Sequence, residues 1–243
     1  MNSSGMVVAV TGGSRGIGAA IVQRVAAAGH NVLIGYRCDE QAAISLANNV
    51  RQQGGHALAS RVDVTDPTSL EEFFRSSEAL GPLAGVVASA GAVEAVGALD
   101  DLDPEAIRQD LEVNLLGPVL TARAAIPRLK ATRGSLVLIG SAASTIGSPG
   151  SYVHYAAAKA GVAALAVGLS KEVASYGVRV NCVEPGTVWT DFHQDPQRPA
   201  KVAAAIPLGR AGDPAEIAGA VAWLLSEDAG YTTGATLRVA GGM

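Results

Sequence analysis

A short apolar run, a glycine-rich turn and a helical pattern follow one another near the start of the chain. The run is Met6–Val10, the turn is Thr11–Gly18, and the helical pattern is Ala19–Ala28. A continuous apolar run of this length is typical of a strand that is buried on both faces of a parallel sheet. The turn and helix therefore predict the first half of a βαβ unit, in which helices connect parallel strands.

The same alternation continues along the chain and defines the fold class. Further strands are predicted at Asn31–Tyr36, His56–Val64, Leu83–Ala90, Ser135–Ile139, Val178–Val183 and Ala235–Val239. Helices are predicted between them at Asp39–Gln53, Pro67–Leu80, Pro104–Thr132, around Tyr155, and at Ala215–Ser226, with a kink at Pro118. Seven strands alternating with six helices predict a single α/β domain over residues 1–243, built on a doubly wound parallel sheet with helices on both faces.

Composition excludes several classes of partner. The chain of 243 residues carries a net charge of −4 and is only 4% aromatic, which argues against nucleic acid or an anionic membrane. No signal peptide and no apolar run of about 18 residues is visible, so we expect a cytoplasmic protein without a membrane span. Free thiols and no metal site are expected, since neither the cysteines nor the histidines have metal-ligand spacing: Cys38, Cys182, His30, His56, His154 and His193.

The glycine-rich turn is the first candidate cofactor site. Glycines between a strand and a helix let the backbone approach a pyrophosphate at the positive helix N-terminus. The spacing differs from the usual G-x-G-x-x-G, and a tight structural turn is the alternative. Its position after the first strand favours dinucleotide binding by Gly12, Ser14, Arg15, Gly16, Ile17 and Gly18.

Residues at the end of the second strand indicate which dinucleotide is bound. An acidic residue there would bond the ribose 2′-hydroxyl, but this chain has Arg37, which is suited to a 2′-phosphate. Arg15 is placed to approach the phosphate from the other side, although both arginines would equally suit a solvated surface. Asp39 is interpreted as the N-cap of the next helix. The sequence therefore predicts NADP(H) rather than NAD(H).

Two further strand ends supply candidate cofactor contacts. Asp63 and Val64 end the third predicted strand, and Asp63 is suited to bonding the adenine amino group. The alternative for Asp63 is a helix cap, a role that Asp66 fits better. Ala90 and Gly91 end the fourth strand, where small residues would let the nicotinamide ribose lie close.

A tyrosine and a lysine four residues apart provide the candidate chemistry. Tyr155 and Lys159 share one face of an alanine-rich helix, and a nearby ammonium is expected to lower the pKa of the phenol. Such a phenol can give a proton to a carbonyl oxygen. An ordinary helix with chance spacing is the alternative. Ser141 follows the fifth strand, at the edge where open α/β sheets bind ligands.

Together these motifs resemble the short-chain dehydrogenase/reductase family. The resemblance rests on Thr11-Gly12-xxx-Gly16-x-Gly18, Asn114, Ser141, Tyr155-xxx-Lys159 and Pro185-Gly186, and covers nearly the whole chain. It implies a Rossmann sheet of order 3-2-1-4-5-6-7 and an NAD(P)-dependent reaction. It also implies a homotetramer or homodimer built partly from the helices around Asn114 and Tyr155.

The same resemblance implies the roles of individual residues. Tyr155 would be the general acid/base, Lys159 would lower its pKa and bond the nicotinamide ribose, and Ser141 would bond the substrate oxygen. Asn114 would hold a water chain to Lys159. Four residues after the sixth strand would contact the nicotinamide amide and the diphosphate: Pro185, Gly186, Val188 and Thr190.

Two departures from the family pattern leave alternatives open. The turn Ala88–Gly91 reads Ala-Ser-Ala-Gly where the family often has Asn-Asn-Ala-Gly, so we expect a weaker turn that still binds the cofactor. Ser141 precedes Tyr155 by fourteen residues, one more than is commonest in the family, and Ser144 is a rival for its role. Tyr152 and His154 would either line the substrate pocket or pack at an interface.

The predicted function is an NADP(H)-dependent oxidoreductase that interconverts a ketone or aldehyde and an alcohol. A 3-oxoacyl thioester, a sugar and another small carbonyl compound remain open as substrates, with specificity expected from an insert at residues 188–212 and the loop Val93–Leu99. Lys130, Arg128 and Arg133 are a thin basic patch for an acyl carrier protein. The alternative is a catalytically silent dinucleotide-binding sensor or scaffold.

Overall fold

The computed structural model describes residues 5–190, 192 and 195–243. Within them, the strands are β1 Val7–Thr11, β2 Asn31–Tyr36, β3 Ala57–Arg61, β4 Leu83–Ala88, β5 Ser135–Ile139, β6 Arg179–Pro185 and β7 Thr236–Val239. They form one parallel sheet of seven strands in the order β3-β2-β1-β4-β5-β6-β7. The predicted α/β class and the strand order implied by the family resemblance are confirmed.

Helices cover both faces of the sheet. They are α1 Gly16–Ala27, α2 Glu40–Gln52, α3 Pro67–Ser76, α4 Pro104–Leu111, α5 Gly117–Thr132, α6 Ala143–Ile146, α7 Val153–Val173, α8 Arg198–Val202 and α9 Pro214–Leu225. Ile21 of α1 and Val221 of α9 are buried in the core on one face. Phe73 of α3, Leu129 of α5 and Val162 of α7 are buried in the core on the other. Each such side chain contributes roughly 1.5–3 kcal/mol by leaving water.

Aspartates fix where several of these helices begin. Asp39 accepts a hydrogen bond from the Ala42 N–H at 3.0 Å, and Asp66 accepts one from the Thr68 N–H at 2.8 Å. Both predicted N-caps are therefore confirmed. Asp213 begins α9 with a reciprocal capping box to Glu216. Such caps satisfy N–H groups that the helix itself leaves unpaired.

The predicted continuous helix Pro104–Thr132 is interrupted. A π-helical turn, Glu112–Leu116, separates α4 from α5, so the irregularity lies before Pro118 rather than at it. Proline has no N–H, so Pro118 cannot bond the Asn114 carbonyl four residues earlier. The wider π turn accommodates this loss. The prediction of a single kinked helix was thus wrong in detail, and the correction falls at Asn114.

Several strands end earlier than predicted. β3 stops at Arg61 and β4 at Ala88, so Val62–Val64 and Ser89–Gly91 lie beyond the sheet edge. The insert at 188–212 contains the short helix α8 and a bridge between Val188 and Gly212. Residues 191, 193 and 194, including His193, lie outside the described part of the insert. The residues beyond the ends of β3 and β4 line the cavity described below.

The helix that carries Tyr155 is also the most apolar long helix. By length and composition alone, the stretch Val153–Tyr176 would suffice to cross a membrane. In the structure its residues Val162 and Ala166 are fully buried against the sheet. The packing is that of a core helix.

The order of the strands places a crevice between β1 and β4. The chain winds outward from β1 to β3 and then returns to β4 on the other side of β1, with Thr11 in register with Ala88. The helix α1, after β1, and the helix α5, after β4, pack on opposite faces of the sheet. Open α/β sheets bind ligands at such a reversal, outside the carboxyl ends of the strands.

Candidate active site

A cavity of about 600 Å³ opens at this crevice. Eighteen of the residues singled out from the sequence line it: Gly12, Ser14, Arg15, Gly16, Ile17, Gly18, Arg37, Asp63, Val64, Ala90, Gly91, Ser141, Tyr155, Lys159, Pro185, Gly186, Val188 and Thr190. Asn114 lies directly behind Gly91, since a Cβ on Gly91 would be 3.1 Å from its Oδ1. The structure brings the candidates together; their individual roles stay predictions.

The glycine turn is packed too closely for side chains. A Cβ on Gly12 would lie 2.8 Å from Ala90 Cα, and one on Gly18 would lie 2.0 Å from the Gly12 carbonyl oxygen. Gly16 has a φ of +53° and faces the Thr190 side chain. The turn therefore presents bare backbone to the cavity at the start of α1. This cradle fits the pyrophosphate of a dinucleotide.

The turn after β4 is held by a side chain from β1. The Thr11 hydroxyl accepts hydrogen bonds from the N–H groups of Ser89 and Ala90, at 3.2 and 3.4 Å, and donates to the Val87 carbonyl at 3.5 Å. We expected a weaker turn because the family's asparagines are missing. Thr11, which is buried, supplies bonds of its own to this turn.

The end of the cavity beside β2 and β3 carries opposite charges. Arg37 Nε lies 3.5 Å from Asp63 Oδ2, and both side chains are at least one third exposed. The Asp63 carboxylate also accepts hydrogen bonds from the Thr65 N–H and hydroxyl, at 3.0 and 2.7 Å. Burial alone would raise the pKa of Asp63, but Thr65 and Arg37 together lower it. Asp63 therefore remains ionised, and Asp66 rather than Asp63 caps α3.

Ser141 is the serine that meets the tyrosine. Its hydroxyl lowers the pKa of the Tyr155 phenol and accepts a hydrogen bond from the Ala143 N–H at 3.1 Å. The rival Ser144 donates its hydroxyl to Glu184, which is itself paired with Arg238 at 2.6 Å. Ser144 is thus engaged with β6 and is not among the residues that line the cavity. The geometry favours Ser141.

The predicted lowering of the Tyr155 pKa is not observed. Tyr155 is only 8% exposed, and its burial raises the pKa of the phenol above the ordinary value. The hydrogen bond with Ser141 opposes this rise, whereas the neighbouring Tyr152 adds to it. The prediction counted the charge of Lys159 but not the cost of burying a phenolate.

Lys159 is shifted toward its neutral form. Burial lowers its pKa to about 8, against a smaller opposing influence from Cys182. Its Nζ donates a hydrogen bond to the Ile139 carbonyl at 3.0 Å and lies 5.6 Å from the centre of the Tyr155 ring. The shared helix face predicted for the two residues thus brings the ammonium to the phenol, without an ion pair between them.

Asn114 leaves one polar atom unused in the described structure. Its Nδ2 donates to the carbonyls of Ala92 and Asp110, the latter at 2.8 Å. Its Oδ1 is buried, and no described residue bonds it. That oxygen faces Gly91 at the cavity wall. A Cβ added to Gly91 would also lie 3.8 Å from Lys159 Nζ. An acceptor so placed suits a water molecule near Lys159.

Tyr152 and His154 have different positions. Tyr152 lines the cavity, with its ring edge-on to Tyr155 at 5.4 Å between centres and the guanidinium of Arg198 5.4 Å above it. His154 is buried and is not among the described residues that line the cavity. Its Nε2 lies 2.9 Å from Oδ2 of Asp110. Phe192 completes the aromatic wall, 5.8 Å from Tyr155.

Sequence patterns gave no indication of three of these residues. Asp110, Phe192 and Arg198 are distant in sequence from Tyr155, and none belongs to a spaced motif. Their proximity depends on the path of the insert and on the π turn. The expected free thiols are present in the described residues, with Cys38 exposed and Cys182 buried. No described cluster of three histidine, cysteine, aspartate or glutamate side chains is arranged to hold a metal.

Comparisons with known proteins agree with this geometry. A family model described as "Enoyl-(Acyl carrier protein) reductase" matches residues 12–243. The "Uncharacterized oxidoreductase YgfF" of Escherichia coli is 38% identical over 97% of this chain and 99% of its own. The "3-oxoacyl-[acyl-carrier-protein] reductase FabG" of the same organism is 38% identical over 100% of this chain and 99% of its own.

Solved structures show the same fold. A blue fluorescent protein from a metagenomic library, solved "in complex with NADPH", has a TM-score of 0.91 and is 32% identical, with 100% of this chain and 99% of that chain covered. The match spans the described sheet, the glycine turn and the tyrosine helix. Sequence, site geometry and relatives thus lead to one conclusion: the chain belongs to the short-chain dehydrogenase/reductase family and is an NAD(P)-dependent oxidoreductase acting on CH–OH or carbonyl groups.

Proposed function

We propose that the protein is an NADP(H)-dependent reductase of a small ketone or aldehyde, and an alcohol dehydrogenase in the reverse direction. The observation that carries the proposal is the placement of Ser141, Tyr155 and Lys159 together at the wall of a glycine-lined cavity, with the Lys159 ammonium 5.6 Å from the centre of the Tyr155 ring. When bound, the nicotinamide supplies or accepts the hydride. Proton transfer and orientation belong to the side chains.

Each side chain has a task that its surroundings allow. Because burial keeps the Tyr155 phenol protonated, it can donate its proton to a substrate carbonyl oxygen. Ser141 bonds the same oxygen and fixes its distance from Tyr155. Lys159, when charged, stabilises the phenolate that remains. The unused Oδ1 of Asn114 holds a water through which the proton is replaced.

The preference for NADP(H) is proposed from the two arginines at the adenosine end. Arg15, in the glycine turn, and Arg37, directly after β2, both line the cavity, and the Arg37 side chain is 62% exposed. Asp63 holds Arg37 at 3.5 Å, a loose pair in solvent that leaves the guanidinium free to turn to a phosphate. A relative of the same fold in complex with NADPH supports the choice.

The substrate class remains a small carbonyl compound, for which a 3-oxoacyl thioester, a sugar and other ketones are all candidates. An aromatic wall surrounds the Tyr155 end of the cavity. It is formed by Tyr152, Tyr155 and Phe192, with Arg198 stacked on Tyr152. We further propose a cytoplasmic protein that functions as a homotetramer or homodimer. The relatives named for acyl-carrier-protein substrates make a thioester the first compound to try.

The test is NADPH consumption across a panel of carbonyl compounds, with NADH as the comparison. Tyr155→Phe should lower kcat by about 10²–10⁴-fold and leave NADPH binding nearly unchanged, because only the proton donor is lost. Ser141→Ala should lower kcat as well.

Ser144→Ala is the matched control, since it removes the hydroxyl of the rival serine, which lies in α6 and is bonded to Glu184. It should retain activity. Full turnover by Tyr155→Phe would contradict the proposal. Tight NADPH binding without turnover of any compound would instead favour the sensor alternative, and stronger turnover with NADH would overturn the arginine argument alone.

A further inference from the structure

The buried carboxylate of Asp110 joins three segments of the chain beside the cavity. Asp110 lies in the last turn of α4 and is 3% exposed. Its Oδ1 accepts a hydrogen bond from the Glu94 N–H at 2.9 Å, and its Oδ2 accepts one from the Ala95 N–H at 3.1 Å. The third partner is Nε2 of His154, 2.9 Å from Oδ2. Because both oxygens of Asp110 act as acceptors for backbone N–H groups, we assign Nε2 of His154 as a donor to the same side chain.

The segment 92–95 is held at two points from the same helical region. Asn114 donates a hydrogen bond to the Ala92 carbonyl. Asp110 accepts hydrogen bonds from the N–H groups of Glu94 and Ala95. Ala92 and Glu94 line the cavity. Asp110 and Asn114 therefore fix a wall of the candidate active site by its backbone.

The third segment is the start of the catalytic helix. His154 directly precedes Tyr155 in the first turn of α7. This turn begins at Tyr152, whose side chain makes no capping hydrogen bond with any described residue. A helix start without such a cap is held by its neighbours. Here the side-chain tether is the bond between His154 and Asp110, and both side chains are at least 95% buried.

We propose that His154 and Asp110 are positioning residues that fix the Tyr155 hydroxyl relative to the 92–95 wall of the cavity. The inference rests on the proposed function, in which Tyr155 is the proton donor. Loss of the tether lets the first turn of α7 and the 92–95 segment shift relative to each other, while the bond from the Gly97 N–H to the Ser151 carbonyl, at 2.7 Å, still joins the neighbouring residues. Misplacement of a reacting group by about 1 Å costs on the order of 10²-fold in rate. Cofactor contacts on the glycine turn are not altered.

The experiment compares His154→Leu with His154→Gln. Leucine fills the buried space but donates nothing, whereas the Gln Nε2 can reach the position of the lost donor. We expect His154→Leu to lower kcat by about 10²-fold with the KM for NADPH within about twofold, and His154→Gln to recover most of kcat. Hydrogen exchange of the Glu94 and Ala95 amides should be about tenfold faster in His154→Leu.

Asn181→Leu is the control for a loss of stability alone. Asn181 is buried on β6 and bonds the Thr232 carbonyl and the Ala235 N–H, at 2.9 and 3.0 Å, away from the cavity lining. It should lower Tm but leave kcat and the exchange at Glu94 unchanged. If His154→Leu does not fold, His154→Asn replaces it, because its amide is too short to reach Asp110.

Each result decides the matter. A His154→Leu enzyme with unchanged kcat, or a His154→Gln enzyme no better than it, would overturn the positioning role. A wild type without carbonyl turnover would count against the proposed function only. Exchange at Glu94 and Ala95 would then decide the tether by itself: faster exchange supports it, and unchanged exchange overturns it.

Discussion

At the scale of single residues, burial determines the protonation states at the candidate site. Tyr155 is kept protonated because a phenolate would lose its hydration, and Lys159 is shifted toward neutrality for the same reason. The lysine therefore approaches its titration near pH 8, while the tyrosine does not titrate near neutrality. The group that should impose a pH limit on activity is Lys159.

The first prediction concerns this pH limit. Because the pKa of Lys159 is lowered to about 8, its charge is complete well below pH 8 and is lost as pH rises through that value. We expect kcat/KM for carbonyl reduction to be flat near pH 6–7 and to fall about tenfold per unit well above pH 8. Lys159→Arg should lack this fall. The exposed Lys171→Gln is the control, and a wild-type profile flat to about pH 10 would contradict the prediction.

The second prediction concerns Arg37. Arg37→Asp should raise the KM for NADPH about 10–100-fold and leave that for NADH equal or lower, because charge-assisted bonds to a phosphate contribute about 1.5–3 kcal/mol. Steady-state kinetics with both cofactors measure it. Arg24→Asp makes the same charge change at the exposed end of α1 and should have little effect. An equal change for both cofactors would contradict a phosphate-binding role.

At the scale of elements, the junction of β1 and β4 depends on one hydroxyl. The third prediction is that Thr11→Val, which keeps the shape of the side chain, lowers the free energy of unfolding by about 1–3 kcal/mol. The N–H groups of Ser89 and Ala90 would lose their acceptor. Urea denaturation measures the change.

Thr11→Ser is the control for this junction, because it keeps the hydroxyl and removes only a methyl group. NADPH affinity should fall with Thr11→Val, since Ala90 packs against the glycine turn. Equal stability of the valine and serine variants would show that the hydroxyl does not hold the turn.

The elements also show how far the sequence predicts this structure. The strands were found because short apolar runs are a local signal, and β2 and β5 have the predicted bounds. Asp39 and Asp66 were identified as caps for the same reason. The π turn at Asn114 was missed, since the effect of Pro118 on the carbonyl four residues earlier is not visible as a pattern.

Local sequence patterns could not predict the contacts between distant segments or the effects of burial. Asp110 and His154 are 44 residues apart, and no spacing motif links them. The direction of the Tyr155 pKa was predicted wrongly because burial depends on the packed structure. The glycine turn, Arg37, Ser141, Tyr155 and Lys159 were named from local patterns. Asn114 and the residues after the sixth strand were named from the family resemblance, whereas the aromatic wall with Phe192 follows from the path of the insert.

At the scale of the whole molecule, apolar side chains remain exposed on the helices expected to form the subunit contact. Leu116, at the end of the π turn, is 43% exposed, and Val167 of α7 is 39% exposed. The fourth prediction is a mass in solution of two or four times 24.5 kDa by light scattering. In a two-fold symmetric dimer, the interface uses the same surface patch on both subunits.

Val167→Glu should reduce that mass, because the introduced charge would be buried without a partner. Ile44→Glu, on the exposed side of α2, is the control, with a similar exposure of 38%. A wild type of 24.5 kDa would contradict the assembly, and an unchanged mass for Val167→Glu would place the contact elsewhere.

The reversal of strand order between β1 and β4 also divides the chain into two parts. The residues proposed to select the dinucleotide lie before Val64, and those proposed to move a proton begin at Asn114. The two sets meet only across the crevice. A chimera that takes its first 64 residues from an NAD-selective relative would therefore exchange the electron donor while the carbonyl substrate stays the same. In such a fold, the preference for NADP(H) or NAD(H) can change while the reaction at the substrate stays the same.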